Sequence, residues 1–356
     1  MGSPIKGRGT GENREGRFES RRVSQQADGW WRDEAVRAPA TEVRAEVARS
    51  IIAHNESPDL PFNQSINPYR GCEHGCIYCY ARPTHAYVNL SAGLDFETKL
   101  FYKENAASLL QRELSRRNYR PAQINLGAST DPYQPIEREH RITRGILEVL
   151  LRFRHPVTIV TKSRLVLRDL DLLREMSAER LCRVMISVTT LDTDLKRALE
   201  PRAPSPAARL QAIAALAQAG VPVGVMAAPM IPALNDHELE KILRAAAAAG
   251  AQMAGYIPLR LPLDVKDLFE RWLHEHLPLR AAHVLSRIRA MRGGLLNDAR
   301  FGTRLRGEGA EADLLARRFA VACRRLALDG RGQTTLNTDA FRVPARAGDQ
   351  LRLDGL

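Results

Sequence analysis

What most limits this chain is the stretch Gly71-Cys72-Glu73-His74-Gly75-Cys76-Ile77-Tyr78-Cys79-Tyr80, which places three of the five cysteines in the spacing Cys-x3-Cys-x2-Cys. Thiolates are soft ligands that favour iron–sulfur clusters, zinc and copper(I). A four-iron cluster normally takes four thiolates, and this loop supplies only Cys72, Cys76 and Cys79. Cys182 and Cys323 stand alone far along the chain and read as small buried hydrophobes. A cubane wrapped by such a loop keeps one iron open to another ligand, and an open position on a metal is where chemistry happens.

Two other readings compete. Zinc is satisfied by three cysteines and a histidine, for which His74 or His85 is available. Against it, the ligands crowd into one loop without the distant second pair that zinc modules usually carry. A disulfide reading fits poorly, because an odd cysteine cluster without a secretory signal belongs to a reducing compartment.

The 356 residues can bury a substantial core, and one barrel-type domain with appendages is the expected organisation. No apolar run approaches the roughly 20 residues that a membrane-spanning helix requires, and Met1-Gly2-Ser3-Pro4-Ile5-Lys6 lacks the apolar centre of a signal peptide. The cytoplasm is therefore the expected compartment. A net charge of +12 favours polyanionic partners through counterion release, with DNA or RNA the candidates. An arginine-rich solvated surface is the plain alternative.

Residues 1–45 read as a largely disordered tail, in which Trp30-Trp31 is the one apolar break and is expected to dock on the domain. From residue 46 to 260 the pattern alternates. Phe96–Phe101 looks like a short strand or connector, and Asn105 is a fair N-cap for a helix to about Arg117. Strands are expected at Gln123–Gly127, Val157–Val160, Arg183–Val188, Val221–Val225 and Met253–Pro258. Helices fall between them, at about 141–154, 168–176, 206–219 and 236–249. Strands alternating with helices indicate a parallel sheet. An arginine-rich helical extension, with helices at about 264–276, 279–292 and 311–328, occupies 261–330, and residues 331–356 read as an extended tail.

Cys72-x3-Cys76-x-Tyr78-Cys79 resembles the signature of the radical S-adenosylmethionine (radical SAM) superfamily, including the aromatic residue before the last cysteine. The resemblance implies an α/β fold, a partial (β/α)6 barrel of the TIM-like type, with a [4Fe-4S] cluster on its first loop. It also implies that the free iron chelates SAM and that an external donor of flavodoxin or ferredoxin type supplies the electron. SAM then breaks to methionine and a 5′-deoxyadenosyl radical, which takes hydrogen from a substrate.

In such barrels functional residues gather at the C-terminal ends of the strands. Several polar clusters stand there: Gly127-Ala128-Ser129-Thr130-Asp131, Thr161-Lys162-Ser163, Ser187 with Thr189 and Thr190, and Met230-Ile231-Pro232-Ala233-Leu234-Asn235-Asp236. Lys162 is the candidate cation for the SAM carboxylate. Ser187 and Thr189 are candidates for the ribose, Tyr78 for the adenine, and Ser129, Thr130 or Asp131 for the amino group.

Tyr78-Cys79-Tyr80, Thr161-Lys162-Ser163, and Leu199-Glu200-Pro201 through Arg209 to Ala228-Pro229-Met230-Ile231-Pro232 are similar to the spore photoproduct lyase branch, over roughly residues 60–235. That lyase splits a thymine dimer and returns hydrogen from a cysteine with nearby tyrosines, so the resemblance makes Tyr78 and Tyr80 candidate catalytic residues. Where the lyase carries its donor cysteine, however, this chain reads Ala128-Ser129-Thr130, and a serine O–H bond is too strong to donate readily to a carbon radical. A sister activity on another substrate is the expectation. The arginine-rich C-terminal helices, with Arg317, Arg318, Arg324 and Arg325, incline the substrate towards nucleic acid; the competing class is a non-catalytic zinc or iron–sulfur module of a nucleic-acid-binding protein.

Overall fold

The computed structural model describes residues 5–13, 18, 39–330 and 335–345. Trp30-Trp31 lies outside the described residues, as do 346–356.

Short strands open the domain: β1 (Glu42–Glu46), β2 (Ile52–His54), β3 (Gln64–Ile66) and β4 (Tyr69–Arg70). After the cysteine loop and a 3-10 helix over Arg82–Val88 come α1 (Asp95–Thr98), β5 (Lys99–Lys103) and α2 (Ala106–Leu114). The alternating portion follows as β6 (Ile124–Leu126), α3 (Glu137–His140), α4 (Ile142–Arg152), β7 (Val157–Thr161), α5 (Leu170–Ala178), β8 (Cys182–Ser187), α6 (Thr193–Leu199), α7 (Pro206–Gln218), β9 (Val223–Met230), α8 (Leu239–Ala248) and β10 (Met253–Pro258). Three helices close the sequence, α9 (Val265–His276), α10 (Pro278–Ala290) and α11 (Ala310–Arg325).

The main sheet has seven strands in the order β10-β9-β8-β7-β6-β3-β2. All of its pairings are parallel except that of β2 with β3. Its parallel strands therefore number six, and the sheet is open, with β10 and β2 at its two edges. Because the parallel strands follow in sequence order without reversal, right-handed crossovers send their helices to one side. Alternate strand residues supply that side: Val157, Ile159, Val184, Ile186, Val223 and Val225 join Leu147, Leu150, Leu173 and Ile213 of the helices in one apolar core. The other face is left for polar chemistry.

A small second sheet, β1-β5-β4, leads from β4 directly into the cysteine loop. Here the sequence expectation is corrected. The strand begins at Lys99 rather than Phe96, because α1 turns Glu97 inward. The fully buried Arg82 takes up that carboxylate and spends its remaining donors on the loop, from Nε to the Cys76 carbonyl at 2.9 Å, from Nη1 to Ala92 and Gly93 carbonyls at 3.1 and 2.9 Å, and from Nη2 to the Gly75 carbonyl at 3.3 Å. Residues 5–13, within the stretch read as a tail, dock on the same group: the Gly9 amide donates to Glu97 at 2.9 Å and the Arg8 guanidinium to the Glu97 carbonyl at 3.1 Å. A buried carboxylate needs several donors, and a short N-terminal segment supplies some of them.

The C-terminal helices pack back onto the domain. Phe269 and Trp272 of α9 and Val284 of α10 pack with Ile77, Tyr78 and Leu199 in a second apolar cluster behind the cysteine loop. Asn105 precedes α2, but its amide clamps the backbone of Ala48 in both directions, at 2.9 and 3.0 Å, instead of capping the helix.

Removing one partner of a buried ion pair strands the other charge, which costs about 3–5 kcal/mol. Glu97→Leu is therefore expected to lower unfolding free energy by about that amount in a urea titration; a loss under about 1 kcal/mol, the range of an exposed pair, would show that the Arg82–Glu97 pair does not hold the loop.

Candidate metal centre and cofactor cleft

The loop begins on two glycines that no other residue can replace without displacement. Gly71 has φ +76°, and a Cβ there would lie 2.7 Å from Leu100 Cδ2 and 2.9 Å from the Phe96 carbonyl oxygen. Gly75 has φ +66°, and its Cβ would lie 2.6 Å from Glu97 Oε2. Backbone bonds from Cys72 N to Phe96 O (3.0 Å), Ile77 N to Leu199 O (3.0 Å) and Cys79 N to Cys76 O (3.2 Å) set the remaining course. The Glu73 amide donates to Gln134 at 2.9 Å.

Cys72 and Cys76 are buried and Cys79 is half-buried. Burial pushes the Cys72 thiol well up; it pushes Cys76 to about 12, with the Lys162 ammonium pulling the other way. Thiolates are thus unfavourable here without a cation to bond them, and a metal deprotonates a coordinating thiol outright. The chemistry of the donor set fits an iron–sulfur cluster. Each histidine weighed for zinc has one ring nitrogen engaged with the protein. His74 Nδ1 lies 3.3 Å from Asp131 Oδ2. His85 Nε2 meets the Lys99 carbonyl at 2.9 Å, and its ring packs against Phe96 at 5.2 Å between centroids.

Opposite the loop stand the ends of β6 to β9. Asp131 accepts from Thr161 Oγ1 at 2.6 Å, from the Lys162 amide at 2.8 Å and from the Tyr133 amide at 2.9 Å. Burial works against its charge, but His74 and these donors hold it down at about 2. Its oxygens are therefore fully engaged. Ser129 is positioned through its amide, which donates to Asn67 at 2.7 Å, and the Thr130 hydroxyl lies 3.4 Å from the Tyr69 carbonyl.

Lys162 is half-buried with its Nζ 5.9 Å from the centre of the Tyr78 ring. Among the described residues no carboxylate or acceptor pairs with that ammonium. Burial disfavours its charge, yet the facing Cys76 and Glu200 raise its pKa above the ordinary value. Tyr78 is buried, and its hydroxyl donates to Glu200 and lies 3.1 Å from Thr189 Oγ1. Glu200 also accepts from Thr189 at 2.7 Å and from the buried Arg209, whose Nη1 donates to the Ser187 carbonyl at 3.1 Å. Burial opposes the Glu200 carboxylate, but Arg209 and Lys162 hold it at about 2. The Ser187 side chain is buried beside this group. Tyr80 is 50% exposed, its hydroxyl donating to the Ala128 carbonyl and its ring 5.8 Å from the Arg260 guanidinium.

The structure thus brings the cysteines, Tyr78, Asp131, Lys162, Ser187 and Thr189 into one neighbourhood. Sequence reasoning missed Arg82, Glu97, Glu200 and Arg209. The last pair lay inside a recognised stretch without being given a role. The C-terminal arginines lie apart: Arg318 pairs with Glu240 at 2.7 and 2.8 Å, while Arg317, Arg324 and Arg325 are exposed on α11.

An uncharacterised protein of Mycobacterium tuberculosis, Rv2578c, is 39% identical over 216 residues, 60% of this chain and 64% of the relative. Another from Methanocaldococcus jannaschii, MJ0683, is 32% identical over 173 residues, 49% of this chain and 62% of its own. The matches thus span less than two thirds of these relatives. Spore photoproduct lyase complexed with dinucleoside spore photoproduct superposes with a TM-score of 0.58 at 17% identity, over 80% of this chain and 79% of the lyase. The lyase variant with bound AdoMet gives 0.57. At that identity the likeness is one of fold. The model of the radical SAM superfamily covers residues 66–246, more than half the chain, and by that match the protein belongs to this superfamily, whose members bind a [4Fe-4S] cluster and S-adenosylmethionine.

Proposed function

We propose that this protein is a radical SAM enzyme acting on a substrate other than the thymine dimer of spore photoproduct lyase. The observation that carries the reading is the unpaired Lys162 ammonium facing a buried three-thiol loop across Tyr78. Cys72, Cys76 and Cys79 would hold the cluster. When bound, the cluster and SAM supply a one-electron cleavage that leads to hydrogen-atom abstraction from carbon, the electron coming from a flavodoxin- or ferredoxin-type donor.

Each residue contributes by position. Lys162 meets the SAM carboxylate as a charge-assisted donor. Asp131, with both oxygens engaged, fixes the Thr161-Lys162 turn and His74, and so sets where that ammonium points. Glu200 and Arg209 lock the Tyr78 ring as an apolar wall for adenine. Ser187 is the ribose partner better placed than Thr189, whose hydroxyl is occupied by Glu200 and the Ala228 carbonyl. Ser129 and Thr130 line the neighbouring strand end. Tyr80, exposed at the mouth, is the candidate to pass hydrogen to or from a product radical.

The absence of a lyase-type donor supports a different substrate. Ser129 stands in its segment, and both remaining cysteines, Cys182 and Cys323, are buried in the sheet–helix core. The exposed Arg317, Arg324 and Arg325 support a polyanionic substrate or partner such as nucleic acid.

Reconstituted without oxygen and given SAM and dithionite, the protein is expected to carry about four irons per chain, the content of one cubane, and to release 5′-deoxyadenosine, while Cys76→Ala does neither. One tightly bound zinc and no SAM cleavage would favour the non-catalytic module instead. Lys162→Ala is expected to weaken SAM binding by roughly 10–100-fold, the loss of a charged hydrogen bond, with iron content unchanged; equal SAM affinity in the variant would remove Lys162 from the carboxylate site.

A further inference from the structure

Strand register assembles a second polar feature on the helix-free face of the sheet, away from the cysteine loop. Ser65 of β3 lies opposite Asn125 of β6, Asn125 opposite Thr158 of β7, and Thr158 opposite Arg183 of β8. Their strand neighbours Ile66, Leu126, Ile159 and Val184 all enter the apolar core, so by alternation these four residues share the other face. Adjacent strands are about 4.8 Å apart, which makes the four a continuous row.

The row is polar and largely enclosed, with Arg183 half-buried at its end. Ser65, Asn125 and Thr158 are 8%, 5% and 8% exposed. Thr158 Oγ1 and Arg183 Nε are buried without a hydrogen-bond partner. Among the described residues, none of the four side chains forms a hydrogen bond or ion pair with the protein. Burial draws the Arg183 guanidinium below its ordinary range, and no carboxylate acts against that. Buried polar groups in native proteins nearly always find partners, and Thr158 Oγ1 and the Nε of the half-buried Arg183 are two that do not. The donors here are a guanidinium, a carboxamide and two hydroxyls, with no carboxylate among them. An acceptor-rich guest matches the guanidinium, and the carboxamide and hydroxyls can donate to it as well.

The row also sits at a defined depth. Thr158 of β7 precedes Lys162, the first residue past that strand, by four residues, and Arg183 precedes Ser187 by four on β8, a separation of about 13 Å along an extended chain. Between the two levels the same face carries Val160, Met185 and Gly224, in register with one another, and Met253 beside them. A Cβ on Gly224 would lie 2.3 Å from Met253 Cγ and 2.7 Å from Met185 Sδ, so the methionines lean over the glycine and form an apolar collar.

We propose that Arg183, Thr158, Asn125 and Ser65 form the anion-binding floor of the substrate site, taking a phosphate or carboxylate end of a substrate whose reacting carbon lies at the level of Lys162 and Ser187. The substrate is then elongated, with an oxyanion at one end and an apolar middle about 13 Å long. Tetrahedral phosphate engages more of these donors than a planar carboxylate does. The identity of the reacting end rests on the radical SAM reading; the oxyanion site does not.

The test is titration calorimetry of the cluster-loaded protein with inorganic phosphate and, separately, with acetate, at ionic strength fixed by chloride. Binding at one site per chain is expected, weakened about tenfold by Arg183→Gln, the loss of a charged hydrogen bond, and partly restored by Arg183→Lys. Thr158→Val, which keeps the shape and removes the hydroxyl, is expected to weaken it about threefold to tenfold and serves if Arg183→Gln does not fold. A response to phosphate names a phosphorylated substrate end, and a response to acetate alone a carboxylated one. No binding of either anion, or affinity unchanged in Thr158→Val and the Arg183 variants, would show that the row holds only water and overturn the proposal. Reductive SAM cleavage by the wild-type sample reports separately on the radical reading.

Discussion

Everything in this protein that bears on its chemistry depends on a buried guanidinium. Arg82 is fully enclosed, and its donors go to Glu97 and to four backbone carbonyls of the cysteine loop and the turn behind it. A loop with two glycines at positive φ has little conformational preference of its own, so this planar fork fixes its path. Lysine, with a single point charge, cannot reproduce that geometry. Glu97 in turn recruits Gly9, and the C-terminal helices back the loop with Phe269 and Trp272. Segments from both ends of the sequence thus converge on ten residues.

A second buried pair, Arg209 with Glu200, governs the opposite wall. It anchors Tyr78 through the phenol and Ser187 through its carbonyl. Two arginines are neutralised by two glutamates, and Lys162 is left over. An interior arranged so that one ammonium lacks a partner is set to receive an anion, because the next negative group to arrive faces no competitor. The same logic applies deeper in the sheet, where Arg183 stands beside Thr158. Lys162, just past the end of β7, and Arg183, near the start of β8, lie at opposite ends of one face of neighbouring strands.

Local patterns in the sequence carried part of this. Cysteine spacing is a one-dimensional signal, and β-branched runs such as Val157-Thr158-Ile159-Val160 declare a buried strand without help from distant residues. The positions of Asp131 and Lys162, beyond the ends of β6 and β7, were legible because the strands before them were. Arg82, Glu97, Glu200 and Arg209 were not, since a single charged residue looks like surface until its partner is known, and the partners are separated by 15 and 9 positions. The partners of His74 and His85 were hidden for the same reason: Asp131 and the Lys99 carbonyl, which each engage one ring nitrogen, arrive through tertiary contacts. The polar row from Ser65 to Arg183 exists only in the register of four strands, which no local pattern specifies. Asn105 kept its helix-start position while its amide served Ala48, as happens when tertiary demand overrides a local preference.

The central claim is a four-iron cluster with one iron not ligated by cysteine, open to SAM. Mössbauer spectroscopy of the ⁵⁷Fe-reconstituted protein, recorded without and with SAM, reads that iron directly. A distinct iron site, about a quarter of the absorption of a four-iron cluster, should shift to a higher isomer shift when SAM is added, while the rest of the spectrum stays in place. A spectrum unaltered by SAM, or a protein whose thiolates retain zinc and form no cluster, would contradict the account.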